Sequence, residues 1–265
     1  MSRLGAHGAK FNYGERTICP QVEVAIPDGV ITVIVGPNAC GKSTLLKGLS
    51  RLIAPEQGSV LLDGADIHTL PTKELAKHIG LLPQGPVAPD GVRVVDLVSR
   101  GRYPHQRLFS PWRAEDEEAV ARAMALTGTT ELSGRFVDEL SGGQRQRVWL
   151  AVALAQDTDI LLLDEPTTYL DVKHQIEVLD LCMKLNRDQG TTMVAVLHDL
   201  NQAARYADTI IAMKDGEIVA MGAPHEVITE ATVQSIFDVA ARVIDDPETG
   251  KPLMVPCWNH LPVRS

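Results

Sequence analysis

Three groups of side chains stand where this sequence can do chemistry: a lysine and serine inside a glycine-bounded loop, two carboxylates closing an apolar run, and a histidine closing another. The loop is Gly36-Pro37-Asn38-Ala39-Cys40-Gly41-Lys42-Ser43-Thr44, preceded by Ile31-Thr32-Val33-Ile34-Val35 and followed by Leu45-Leu46-Lys47-Gly48-Leu49. Gly36, Gly41, Lys42 and Ser43 satisfy phosphate-loop spacing, in the strand-before, helix-after context that such a loop needs. The loop's N–H groups and the free N–H groups of the helix converge on one place, where the helix dipole also favours negative charge. Lys42 then reaches β- and γ-phosphate oxygens, and the Ser43 hydroxyl a magnesium ion. Cys40 is either an indifferent small residue or a thiol whose pKa falls near the helix start, in which case bound nucleotide should shield it from alkylation.

The apolar run Ile160-Leu161-Leu162-Leu163 ends in Asp164-Glu165, and Pro166 forbids its extension. Buried strands seldom finish on paired acids without a cation or a reaction to use them. Asp164 suits a magnesium ligand and Glu165 a water-orienting base. Gln84, after the short apolar run Ile79–Leu82, is placed to contact magnesium or position a water, although a lone glutamine proves nothing. His198 follows the strand-like Thr191–Leu197, at the carboxyl end where open α/β sheets bind their ligands. Ser141-Gly142-Gly143-Gln144 opens a second helix with bare backbone; it is a plain N-cap or a second anion-receptive start. One lysine-bearing loop and two such starts suggest that the second serves another molecule's nucleotide. Tyr13 is a turn residue, a packing aromatic or a ring that stacks on a base.

These residues need a framework, and the chain supplies one. Leu4 to Asp28 reads as two strands about a turn at Tyr13–Arg16, because Val22, Val24 and Ile26 alternate with Glu23, Ala25 and Pro27. Strand patterns at 31–35, 59–62, 79–82, 160–163, 191–197, 209–213 and 217–221 alternate with helical ones at 43–52, 71–78, 114–126, 148–155, 172–186, 200–206 and 224–229. Residues 85–113 read as loop, with prolines at 86, 89, 104 and 111. Glu115, Asp116, Glu117 and Glu118 read as a solvated helix start that suits the dipole. The whole predicts one α/β domain with an inserted helical lobe at about 85–160 and a short β tail at about 241–256.

Composition narrows the function classes. With 265 residues, 45% of them hydrophobic, the chain can bury a large core. A net charge of −9 argues against broad nucleic-acid binding. The longest apolar runs fall far short of the ~20 residues that span a bilayer, and the N-terminus lacks an apolar signal core, so a cytosolic chain with possible peripheral membrane attachment is expected. Cys19, Cys40, Cys182 and Cys257 are scattered, which suggests neither a zinc site nor a disulfide framework.

Taken together and in this order, Gly36–Thr44, Gln84, Leu140-Ser141-Gly142-Gly143-Gln144, Ile160–Glu165, Leu170-Asp171 and His198 resemble the ATPase subunits of ABC transporters over nearly the whole chain. The resemblance implies a phosphate-loop NTPase (RecA-like) core with an N-terminal antiparallel β subdomain and an inserted helical subdomain. It implies ATP and Mg2+ as cofactors: Lys42 and the loop amides on phosphates, Ser43, Asp164 and Gln84 at magnesium, Glu165 as catalytic base. It makes His198 the γ-phosphate switch, Tyr13 the adenine-stacking aromatic, Asp171 a dimer-crossing residue, and Ser141–Gln144 the signature that closes over the nucleotide of a second, head-to-tail copy. Ala39 and Tyr169 depart from the usual glycine and histidine. Gly101-Arg102-Tyr103-Pro104-His105, Leu154-Ala155-Gln156-Asp157 and Leu197–Asn201 are similar to the importer branch for ferric siderophores, with haem and cobalamin systems nearby. That branch implies transmembrane permease partners docking on 85–113, an indirect substrate-binding protein, no nucleic acid, and a peripheral position on the cytoplasmic face of the membrane. A non-transport ABC ATPase would need tandem cassettes or coiled coils, which 265 residues do not hold, and a regulatory module without hydrolysis would need Glu165 lost.

Overall fold

A computed structural model describes residues 2–106, 112–168 and 170–257. Strands β1 (Ser2–Tyr13) and β2 (Arg16–Pro27) form the expected antiparallel hairpin, in which Val22, Val24 and Ile26 turn inward between exposed neighbours. Next come β3 (Ile31–Val35) and α1 (Lys42–Leu49), which stops three residues before the expected Leu52 as Arg51 takes a φ of 66°. β4 (Gln57–Leu62) and β5 (Ala65–Asp66) meet at Asp63-Gly64, whose φ values of 51° and 81° make the tight turn that such a pair favours. The chain continues through α2 (Thr72–His78), β6 (Ile79–Leu82), α3 (Val94–Ser99), α4 (Ala114–Leu126), α5 (Gly142–Ala155), β7 (Ile160–Asp164) and α6 (Val172–Gln189). It closes with β8 (Thr192–Val196), α7 (Leu200–Tyr206), β9 (Thr209–Lys214), β10 (Glu217–Gly222), α8 (Pro224–Val227), α9 (Glu230–Phe237) and the hairpin β11 (Ala241–Asp245) to β12 (Pro252–Pro256).

The central sheet runs β10-β9-β3-β8-β7-β6, with every pair parallel except β10 on β9. Both faces are covered, so its strands read as continuous apolar runs. In β3, Ile31, Val33 and Val35 join the cluster under α6, α7 and α9, while Ile34 joins the one under α1. The second sheet, β2-β1-β4-β5, lies over α1, and the fit is close. A Cβ on Gly48 would stand 2.4 Å from the Phe11 ring, so α1 seats directly on the hairpin.

The stretch 85–113 differs from expectation. It contains α3 and a 3-10 stretch, Arg100–His105, and residues 107–111 lie outside the described residues. Together with α4 and α5 these elements enclose their own small core, which includes Val94, Leu97, Val98, Val120, Val137 and Val148. Asp116 corrects the reading of a solvated acidic run: it is 5% exposed and pairs with buried Arg102 at 2.9 Å, while Arg102 also donates to the Ala155 carbonyl. An unpaired charge there would cost several kcal/mol, on the order of 3–5, which explains why the pair is complete. Gly101 is fixed by contact, since a Cβ would sit 2.3 Å from the Val152 carbonyl oxygen. α5 begins at Gly142, directly after the expected N-cap Ser141 and six positions before the helical pattern of 148–155, and α9 lies outside the helical patterns read from the sequence.

Candidate active site

The carboxyl ends of β3, β6, β7 and β8 lie side by side, and each delivers at least one polar group to a cleft of about 970 Å3. From β3 comes the loop, which turns through Gly36 (φ 154°), Ala39 (φ 62°) and Gly41 (φ 106°). Gly36 has no substitute, because a Cβ would meet the Met213 carbonyl oxygen at 2.3 Å. Ala39, which stands where glycine is usual, adopts the left-handed region all the same. Gly36, Pro37, Asn38, Ala39, Gly41, Lys42, Ser43 and Thr44 line the cleft. Lys42 is 5% exposed, and its Nζ donates to the carbonyls of Gly36 (2.9 Å) and Pro37 (2.8 Å), which holds the ammonium at the loop.

Cys40 is absent from that lining. Its side chain belongs to the core under α1, and burial pushes the thiol's pKa up. The helix N-terminus therefore does not lower it, as the sequence had allowed, because desolvation of the thiolate outweighs the nearby Lys42 charge.

Asp164 closes β7 at 1% exposure, and its Oδ1 accepts from Ser43 Oγ at 2.8 Å. Burial is the largest influence on its carboxyl and raises the pKa, opposed by the Ser43 hydrogen bond. Asp164 Oδ2 is buried with no hydrogen-bond partner. A buried carboxylate oxygen left unpaired beside a serine hydroxyl fits a small hard cation, for which carboxylate and hydroxyl oxygens are the natural ligands.

Glu165 departs from the strand with a φ of 55°, a costly conformation for a residue with a Cβ, which re-aims its carboxylate into the cleft. Three groups hold that carboxylate. Gln84 Nε2 donates to Oε2 at 2.7 Å, Thr168 Oγ1 donates to Oε2 at 3.0 Å, and His198 Nε2 lies 2.7 Å from Oε1. The expected trio Gln84, Glu165 and His198 is thus one cluster, and Thr168 is an addition. Arg16, Ile18 and Phe237 also line the cleft without having been read from the sequence. Tyr13, the expected stacking ring, is 69% exposed and not part of the lining, although it pairs with Arg16 across the hairpin.

Ser141 to Gln144 and Asp171 stand apart from this cleft. Ser141 caps α5 by accepting from the Gln144 N–H at 3.3 Å, and Gln144 Oε1 accepts from the Ser141 N–H at 3.1 Å, a reciprocal capping box. Asp171 caps α6 by accepting from the His174 N–H at 2.9 Å, a bond that lowers its carboxyl pKa. Tyr169, the expected departure, lies outside the described residues.

The ABC transporter family profile matches residues 19–168, more than half of the chain. The chain belongs to the ABC transporter family. It binds and hydrolyses ATP as an ABC subunit, and the resemblance read from its motifs holds. Among its relatives, it is 53% identical to the ferric enterobactin transport ATP-binding protein FepC of Escherichia coli, over 99% of this chain and 97% of that one. It is also 52% identical to the petrobactin import ATP-binding protein FpuD of Bacillus anthracis, over 96% and 93%. Among solved ABC structures, an ABC transporter in an inward-facing conformation superposes with a TM-score of 0.82 at 28% identity, over 97% of this chain and 98% of that one. A dimeric cassette in a post-hydrolysis state with ADP and Pi matches at 0.73 and 28%, over 83% and 98%. No helix among the described residues is long and apolar enough to cross a membrane.

Proposed function

We propose that this chain energises uptake of a ferric siderophore, working as a head-to-tail pair on the cytoplasmic side of a membrane permease that receives cargo from a substrate-binding protein. The observation that carries the chemistry is the convergence of Gln84, His198 and Thr168 on the Glu165 carboxylate beside the Lys42 loop. Identity of 53% over nearly the full chain to the enterobactin subunit supports the cargo class, against 42% for a cobalamin import ATP-binding protein of Halobacterium salinarum.

The loop amides and Lys42 bind the triphosphate, and Tyr13, on the hairpin that carries cleft-lining Arg16 and Ile18, takes the adenine. Ser43, Asp164 and Gln84 would hold Mg2+, which supplies charge neutralisation for the β- and γ-phosphate oxygens when bound. Glu165 accepts a proton as a water oxygen bonds to the γ-phosphorus and the bond to the β-phosphate oxygen breaks. His198 orients Glu165 and reaches the γ-phosphate. Ser141, Gly142 and Gly143 of each protomer, with Asp171, complete the other protomer's site and exclude water there. Residues about 85–160 form the helical subdomain of a single ABC ATPase domain, with 85–113 toward the permease and the hairpin at about 241–256 as its extension.

The test is uptake of radiolabelled ferric siderophore, haem iron and cobalamin in cells lacking the gene for this chain, complemented by the parent or by Glu165→Gln. Loss of siderophore uptake alone, restored by the parent only, is the expected pattern. Loss confined to cobalamin would reassign the cargo, and full restoration by Glu165→Gln would remove Glu165 as the base.

A further inference from the structure

The Glu165 carboxylate is held from the cleft side by Gln84, His198 and Thr168, but its backbone leaves β7 with a strained φ and must be held from behind as well. Two glutamines from two different helices reach the carbonyls that follow it, and a third, from another helix, holds one of them. Gln146 of α5 donates to Pro166 O at 3.0 Å. Gln175 of α6 donates through the same Nε2 to Leu170 O at 3.0 Å and Thr167 O at 3.4 Å. Gln202 of α7 donates to Gln175 Oε1 at 2.8 Å.

We propose that Gln175 is a positioning residue for hydrolysis, joining the backbone behind Glu165 to the helix that follows His198, so that base and switch histidine move together. Its carboxamide is fully oriented: both N–H groups face carbonyl oxygens and its own oxygen faces a donor, an assignment that only one amide orientation satisfies. α7 begins one residue after Asp199, whose carboxylate caps it by accepting from the Asn201 and Gln202 N–H groups at 2.8 and 3.0 Å. Movement of His198 is therefore passed to Gln202, from Gln202 to Gln175, and from Gln175 to the Thr167 and Leu170 carbonyls. Gln146 adds the helix capped by Ser141, which ties the face offered to a partner's nucleotide to the same backbone. Such a relay matters because a misplacement of about 1 Å at a reacting group can cost on the order of a hundredfold in rate.

The inference rests on the assignment of Glu165 as base, and one set of assays separates the two. ATP hydrolysis at saturating ATP and equilibrium binding of a fluorescent ATP analogue are measured on the full chain for Glu165→Gln, Gln175→Ala, Gln175→Glu, Gln202→Ala and Gln175→Ala/Gln202→Ala. Gln175→Ala is expected to lose about tenfold or more in kcat with analogue affinity within about twofold of the parent. Gln175→Glu, of equal shape, should fare no better, since it turns an oxygen toward two carbonyls. Gln202→Ala should lose several-fold, and the double variant no more than Gln175→Ala, because both act along one path. Should Gln175→Ala fail to fold, Gln202→Ala, which leaves both carbonyl contacts standing, decides the matter. A parental kcat in Gln175→Ala or Gln202→Ala, losses that multiply in the double variant, or a parallel loss of affinity overturns the relay. Parental turnover by Glu165→Gln overturns instead the reading on which it stands.

Discussion

Helices α1 and α5 both start from glycine-rich turns, yet α1 buries its first residue, Lys42, to 5% exposure, whereas Ser141 and Gly142 at the start of α5 lie at the surface. Around α1 the fold brings a lysine, a serine, two carboxylates, a glutamine and a histidine from four strand ends. Around α5 the chain supplies its own capping box, Ser141 with Gln144, and nothing approaches a Cβ built at Gly142 within 4 Å. The first helix start gathers every reacting group of the cleft within one chain. On the reading proposed above, the second is half of a site, with no reacting group of its own.

Four measurements sharpen or break that contrast. The largest effect is expected from Glu165→Gln, which should lose at least about a hundredfold in ATP turnover, the scale of general-base catalysis, while ATP still binds and paired protomers accumulate in light scattering. A monomeric ATP-bound variant would break the half-site reading. Lys42→Ala should weaken nucleotide binding by roughly ten- to a hundredfold, the worth of a charge-assisted hydrogen bond in a buried site, and calorimetric titration reads this directly.

Ser141→Ala should leave nucleotide affinity of the single chain unchanged and lower turnover several-fold, with a loss of about 1 kcal/mol from the missing cap visible in thermal unfolding. If its affinity fell as much as that of Lys42→Ala, the two helix starts would not be distinct. The smallest effect concerns Asp164. Burial holds its folded pKa above the unfolded one, so the folded chain grips that proton more tightly. The resulting penalty is absent below the unfolded pKa, grows as pH rises toward the folded pKa, and is fully present beyond it. Asp164→Asn should therefore raise Tm by roughly 2–4 °C at neutral pH without magnesium, if relieving the charge is worth about 1 kcal/mol, and remove the parent's further rise when magnesium is added.

Much of this was legible in the sequence because the central strands are buried on both faces. Ile31–Val35 and Ile160–Leu163 announce themselves as unbroken apolar runs, and the chemistry hangs on their ends. What escaped notice has physical causes too. α3 spans only Val94–Ser99, too short for a helical period to show among the prolines. The first turns of α5 carry Gly142, Gly143 and Gln144-Arg145-Gln146-Arg147, which lack an apolar repeat, although Ser141 marked the start. α9 ends on Asp238 in the left-handed region, φ 56°, where glycine would have been the readable stop. No local pattern says which of four acidic residues turns inward to Arg102, and none could draw Phe237 into the cleft, since both depend on partners distant in the chain.

The contact between Gly48 and the Phe11 ring reaches further than packing. Inside a helix, alanine ordinarily outperforms glycine by about 1 kcal/mol, so a saturation library scored for ATP turnover would be expected to reward that exchange. At position 48 the preference should invert, with every replacement selected against despite its distance from ATP, because any added carbon levers the phosphate-gripping helix off the aromatic floor beneath it.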